Sequence, residues 1–181
     1  AVTIIATPTA TTVTLTQKTI TLVPPASNSP GAWSIEFDNP KIATANGLNL
    51  TLLSAGTSII RYVQAASGAY NAAHRSSRLT VSPGVPTLGV FKDQSVTLAQ
   101  RTFNLVAPTS PSDGSWSYSS LDLSVATVLG STVTLLDGGD ISIRATQSPT
   151  MNWLTASATM KLTVTAPSPM VGTFSDITLS I

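Results

Sequence analysis

The chain has 181 residues, of which 42% are hydrophobic, 6% aromatic and 9% charged, with no cysteine, one histidine and a formal net charge of +1 at pH 7. Average domains carry roughly 25% charged residues, so this surface must be built from Ser, Thr, Asn and Gln. The absence of cysteine excludes disulfide frameworks, thiolate metal centres and thiol nucleophiles; a lone His74 excludes a multi-histidine metal site, and the near-neutral balance excludes the basic footprint of a nucleic-acid binder.

Residues Ala1 to Thr7 carry neither the basic flank nor the apolar run of a secretory leader. No run of about 18 apolar residues occurs, so no membrane span is expected. Ala1 is not an initiator methionine, and the chain reads as a processed product or a piece of something longer. Turn signals at Pro30-Gly31, Asn46-Gly47 and Ala55-Gly56 cut the first part into short segments rich in Thr and Val. A link follows at Val81-Ser-Pro-Gly-Val-Pro86, whose prolines prevent ladder pairing and stiffen the connection. Beyond it, strands are expected over 95–98, 102–106, 115–119, 124–129, 131–136 and 140–147, parted by Asp113-Gly114, Leu129-Gly130 and Asp137-Gly138-Gly139. A last strand shows the clearest alternation, Ala156, Ala158, Met160, Leu162 and Val164 against Ser157, Thr159, Lys161 and Thr163. A second link reads Val164-Thr-Ala-Pro-Ser-Pro169, and no helical stripe is found.

The chain repeats itself at one fixed offset. Trp33 and Trp116 lie 83 residues apart, and the same spacing, without a gap, carries Val13-Thr14-Leu15 onto Val96-Thr97-Leu98, Pro25 onto Pro108 and Ala43-Thr44 onto Ala126-Thr127. It continues through Thr51-Leu52-Leu53 on Thr134-Leu135-Leu136, Gly56 on Gly139, Arg61 on Arg144, Gln64 on Gln147 and Leu79-Thr80-Val81 on Leu162-Thr163-Val164. A fixed period decides the architecture: module 1 over 1–83 and module 2 over 84–166, in a semi-rigid rod. Pro169, Gly172, Phe174 and Asp176 repeat Pro86, Gly89, Phe91 and Asp93, so residues 167–181 read as the first strand of a third module or a C-terminal extension. Ile177, Leu179 and Ile181 alternate there like a strand in need of a partner. About seven short strands in each module argue for an all-β fold of tandem, antiparallel, immunoglobulin-like Greek-key sandwiches joined by short proline-containing linkers.

The strings Trp116-Ser-Tyr-Ser-Ser, Val125-Ala-Thr-Val-Leu-Gly-Ser-Thr-Val-Thr-Leu-Leu, Ile143-Arg-Ala-Thr-Gln and Ala156-Ser-Ala-Thr-Met-Lys-Leu-Thr-Val resemble the bacterial Ig-like repeats of the BIG2 type. Asp38-Asn-Pro-Lys-Ile-Ala-Thr and Ser54-Ala-Gly-Thr-Ser-Ile-Ile carry the likeness in module 1, while Asp137-Gly-Gly-Asp140 departs from the usual small-Gly-Thr turn. The resemblance implies non-catalytic tandem domains in an extracellular or virion-borne setting, as in bacterial surface adhesins and structural proteins of tailed bacteriophages.

Trp33 and Trp116 stand where sandwiches bury a large aromatic and are assigned to the core. Tyr70 and Trp153, equivalent to each other in the loop before the last strand, either plug an open end of the sandwich or stack on a sugar ring, a surface glycan contact. Arg61 and Arg144 are expected on the solvent face, in a structural role or as a bidentate anion contact. Asp137 and Asp140 are weak metal candidates: calcium takes six to eight oxygens, which Asp122 or carbonyls would have to complete, so an Asp-stabilised hairpin is expected instead. His74, Arg75 and Arg78 give module 1 a basic edge, with five basic side chains against two acidic, while module 2 has four against five. Asn49-Leu50-Thr51 is formally a glycosylation sequon inside an expected strand. Glu36 and Asp38 are the acidic residues of module 1, and no acidic position is shared by the modules, so neither a nucleophile with its base nor a carboxylate pair across a cleft is formed. The sequence therefore predicts a non-enzymatic display and adhesion module without cofactor, in a virion protein of a tailed phage. The alternatives are a stalk or adhesin repeat on a bacterial surface and a carbohydrate-binding module of a secreted enzyme. Its expected partners are other subunits of the virion or surface assembly and host-surface carbohydrate, not nucleic acid or the membrane interior. Its expected location is the virion surface or the cell exterior.

Overall fold

The computed structural model describes residues 1–167. The strand expected within 167–181, with Ile177, Leu179 and Ile181, lies outside the described residues from 168 onward. The first repeat contains β1 (Thr11–Thr14), β2 (Thr19–Thr21), β3 (Trp33–Phe37), β4 (Ala43–Asn46), β5 (Asn49–Leu52), β6 (Gly56–Gln64) and β7 (Ala73–Ser82). The second contains β8 (Gln94–Thr97), β9 (Thr102–Asn104), β10 (Trp116–Ser120), β11 (Ala126–Leu129), β12 (Thr132–Leu135), β13 (Gly139–Gln147) and β14 (Ala156–Thr165). Every strand of the second repeat begins 83 residues after its counterpart. By spatial proximity the described residues divide into two compact units, Ala1–Thr87 with Ser110–Ser115 and Gln147–Ala156, and Leu88–Thr109 with Trp116–Thr146 and 157–167.

Each repeat builds a sandwich of a four-stranded and a three-stranded sheet, ordered β1-β7-β6-β3 and β2-β5-β4 in the first and β8-β14-β13-β10 and β9-β12-β11 in the second. Alternation in sequence becomes alternation in burial. Along β6, Ser58, Ile60, Tyr62 and Gln64 are buried while Thr57, Ile59 and Arg61 face water. Leu50, Ile60 and Leu79 are fully buried in the first core, as Val133, Ile143 and Leu162 are in the second. Trp33, Ile35 and Phe37 pack half-buried against the first core, and Trp116 and Tyr118 against the second.

One pairing departs from the antiparallel expectation. β1 runs parallel to β7, with Val13 opposite Val81, and β8 runs parallel to β14, with Val96 opposite Val164. The cause is a corner in the first strand. A single 3-10 turn at Leu15–Gln17 moves the chain from one sheet to the other, so β1 lies at the edge beside the last strand and β2 at the edge of the opposite sheet. Gln17 Oε1 accepts the Thr14 N–H at 2.9 Å, and Lys18 reverses the backbone at φ +59°. Gln100, Thr97 and Arg101 repeat this corner, again at φ +59°. A period-two reading registers the alternation of a strand but not the edge along which it pairs.

The end of each sandwich is closed by a glutamine. Gln64 is 1% exposed; its Oε1 accepts the Ser27 hydroxyl at 2.6 Å, and its Nε2 donates to the carbonyls of Ser29 at 2.8 Å and Gly31 at 3.1 Å. Gln147, equally buried, does the same with Ser110, Ser112 and Gly114. In both loops the serine hydroxyls accept backbone N–H groups two residues on, so the Ser-x-Ser-x-Gly spacing is itself the fold of the loop. The glycine is required by space: a Cβ on Gly31 would stand 2.0 Å from the Ala65 carbonyl oxygen, and one on Gly114 2.0 Å from that of Ser148.

Two stability outcomes follow. Gln147→Leu and Gln64→Leu each orphan two carbonyls and a hydroxyl, and each is expected to lower the unfolding free energy by about 3 kcal/mol, read as a drop in the urea midpoint; a loss below about 1 kcal/mol would mean that water replaces the amide without penalty. Gly31→Ala is expected to cost more than Gly47→Ala, because Gly47 at φ +61° has open space around it and meets backbone strain alone. The expected losses are about 3 against about 1 kcal/mol.

Candidate functional site

Two clefts run along matching seams of the repeats. The larger one in the first repeat, about 540 Å³, lies between the free edges of β1 and β2 and is lined by residues such as Pro8, Thr11, Val13, Ile20, Val23 and Tyr62. A cleft of about 320 Å³ occupies the equivalent seam in the second repeat, lined by Val90, Phe91, Phe103, Val106 and Met160 among others. Apart from Lys92 at the rim of the second, neither holds an acidic, basic or histidine side chain.

Tyr70 and Trp153 are half-buried at the ends of matching four-residue turns. Ser67 and Tyr70 exchange backbone hydrogen bonds at 3.1 and 3.0 Å, and the Thr150 N–H donates to the Trp153 carbonyl at 2.8 Å. Gly84 N–H donates to the Asn152 carbonyl at 3.0 Å, Leu154 N–H donates to the Gly84 carbonyl at 2.8 Å, and a Cβ on Gly84 would stand 3.3 Å from the Trp153 ring. The indole therefore lies against the chain at the start of its own repeat. In the first repeat the Ala1 ammonium and carbonyl engage Ala69 and Asn71 in the same way.

Asp137 and Asp140 do not converge. The Asp137 carboxylate accepts the Gly138 N–H at 2.7 Å, an Asx-type contact inside the turn, while Asp140 sits 2.7 Å from Lys161 across the sheet. That ammonium holds the Asp140 carboxyl below the usual carboxylate range, and the same contact raises the Lys161 ammonium. Asp122 turns to its own loop, accepting from the Ser124 hydroxyl and N–H, which lowers its pKa. Among the described residues, no three His, Asp or Glu side chains are grouped to hold a metal ion.

The outward face of β3, β6 and β7 brings several polar side chains together. Register pairs Arg61 with Glu36 on one side and with Ser76 on the other. The Arg61 guanidinium lies 3.6 Å from the Glu36 carboxylate and 3.1 Å from His74 Nε2. Arg78 flanks Ser76 from the other direction along β7. The sequence marked these basic residues as an edge of module 1; it did not single out Ser76 at their centre. His74, Ser76 and Arg78 alternate along a strand, so period two alone places the three on one face. Asp38, at the margin, accepts the Ser58 hydroxyl at 2.6 Å and the Ile59 N–H at 2.7 Å, which lowers its pKa. On the second repeat Arg144 and Thr159 take the positions of Arg61 and Ser76, Ser157 that of His74, and Lys161 is tied to Asp140. No described helix is long and apolar enough to cross a membrane.

The chain matches no family model and no curated protein. Among solved structures it is similar to mouse protocadherin-24 EC1-3, at 13% identity over 88% of this chain and 62% of that one, with a TM-score of 0.37. It is similar to Drosophila N-cadherin EC1-3 at 8% identity over 92% and 67%, with a TM-score of 0.38. A third is a SusE-like, surface-located polysaccharide-binding protein from the Bacteroides thetaiotaomicron heparin utilisation locus, at 11% identity over 90% and 34%, with a TM-score of 0.34. The chain thus spans about three fifths of the mouse protocadherin chain and one third of the Bacteroides one.

Proposed function

We propose that this chain is a non-enzymatic display and adhesion module, a tandem repeat of the BIG2 kind carried on a virion protein of a tailed phage, where weak contacts gain strength through copy number. One observation carries the reading. The two repeats keep the same interior apparatus, the Gln64/Gln147 closure, the Thr14/Thr97 corner and the loop of Tyr70/Trp153, while their outward positions differ: Glu36 against Ser119, Ile59 against Ser142, His74 against Ser157. A frame held constant beneath an exchangeable face is what display requires, whereas an enzyme needs a fixed constellation at its surface. The partners in this reading are neighbouring subunits of the assembly and carbohydrate of the host surface, and its setting is the virion exterior.

Two measurements test it. Tetramers of the chain on streptavidin are expected to be retained on host cell envelopes at least about 100-fold more strongly than monomers; equal retention, or turnover of an envelope polymer, would sink the adhesion reading. Peptide mass spectrometry of purified virions is expected to recover the chain joined to a capsid, tail or fibre domain, and recovery from cell envelopes joined to a leader and a wall anchor would replace the phage setting by a bacterial stalk. For Trp153 the expectation is packing: Trp153→Ala should lower stability by about 2 kcal/mol, and an unchanged melting temperature with lost glycan binding would make it a sugar platform instead.

A further inference from the structure

We propose that the outward face of β3, β6 and β7 in the first repeat is a binding site for the acidic groups, sulfate or carboxylate, of an anionic polysaccharide, with Arg61, Arg78 and His74 arranged around the Ser76 hydroxyl. This rests on the adhesion reading and names its ligand class. Arg61 stands opposite Ser76 in the β6/β7 register, and Arg78 and His74 stand two residues to either side of Ser76 on the same strand. Diagonal neighbours on one face of a sheet lie about 7 Å apart, so Arg61 and Arg78 flank one hydroxyl within reach of a single tetrahedral or planar anion, while His74 Nε2 accepts from the Arg61 guanidinium. Arg61 is held in place from both sides, by Glu36 at 3.6 Å and by His74 at 3.1 Å, which reduces the side-chain entropy lost on binding. Arg78 has no carboxylate partner among the described residues.

The surroundings suit a sugar chain. A shallow hollow of about 190 Å³ opens beside Arg61 and Ser76, where Ile59, 40% exposed, offers apolar surface to the C–H face of a pyranose ring. The two carboxylates at its rim are occupied, Glu36 on Arg61 and Asp38 on the Ser58 hydroxyl and Ile59 N–H. The basic cluster crosses only two strands about 5 Å apart, a footprint of one or two acidic sugars. A nucleic-acid duplex or an anionic bilayer needs a longer basic track, and the chain's net charge of +1 provides none.

The second repeat is the internal control, since the position of the unpaired Arg78 is held there by Lys161, ion-paired to Asp140 at 2.7 Å, and Ser157 replaces His74. The test is biolayer interferometry of the whole chain on immobilised dextran sulfate, polygalacturonate and neutral dextran. Binding is expected to one or both polyanions, the preferred one naming the acidic group, to weaken with added salt, and to be absent on dextran. Arg78→Gln and Arg61→Gln, both on the solvent side of the sheet, are each expected to weaken it at least about tenfold, with unchanged melting curves, while Arg144→Gln leaves it unaltered. Equal loss in all three variants, or equally strong binding of duplex DNA, would reduce the effect to net charge and overturn the inference. Dextran binding without polyanion binding would overturn it too, leaving adhesion to neutral glycans intact; loss of envelope retention by the tetramer would remove the adhesion reading as well.

Discussion

Each sandwich depends on one buried amide. β2 and β3 belong to different sheets, so the chain between them must cross the end of the sandwich where no ladder can satisfy its backbone. Gln64 and Gln147 supply the missing partners: both amide protons go to carbonyls of the crossing segment and the amide oxygen takes a serine hydroxyl. A buried side-chain amide is costly unless it is saturated, and here two serines and a space-limited glycine saturate it. The crossing in turn delivers Trp33 and Trp116 to the start of β3 and β10, where they pack against the cores.

This explains why some of the fold could be read from the sequence and some could not. The 83-residue offset and the alternation of Ala156 to Val164 register repeat and strand because both are periodic. Trp33 and Gly31 stand out as residue types, but a glutamine at the end of an apolar strand looks like a strand terminus. Only its recurrence at Gln147, together with Ser27-x-Ser29-x-Gly31 and Ser110-x-Ser112-x-Gly114, distinguishes it from a solvent-facing residue. The parallel pairing of β1 with β7 was hidden for a different reason. It is decided by a three-residue turn and by Lys18 at positive φ, neither of which changes the period-two pattern around them. For the outward face, the basic residues were visible in sequence, but their convergence on Ser76 depends on the β6/β7 register.

The same division separates what folding requires from what is left to vary. The polar closures and corners of the repeats agree because each of their groups is bound by several neighbours. Outward positions sit on strands anchored by their inward faces, so an arginine, histidine, serine or isoleucine there changes the surface at little cost to the frame. That freedom lets the first repeat concentrate Arg61, His74 and Arg78 where the second places Arg144, Ser157 and an ion-paired Lys161.

Even the interior is not a copy. The first core has Tyr62 where the second has Ala145, and the second has Phe91 and Met160 where the first has Pro8 and Ser77. Large side chains in one repeat thus answer large ones at other positions in its twin, the pattern of a core that conserves volume while exchanging who fills it. In the second repeat Phe91 meets Tyr118 with ring centroids 6.1 Å apart, and the seam cleft shrinks to about 320 Å³; in the first, Tyr62 lines a cleft of about 540 Å³, and the Ser77 hydroxyl is buried without a hydrogen-bond partner. Moving Phe91 into the first repeat at Pro8 would therefore need Tyr62 to give way at once. The two modules share a backbone plan and a polar closure, yet the fillings of their cores are coupled sets that cannot be exchanged one residue at a time.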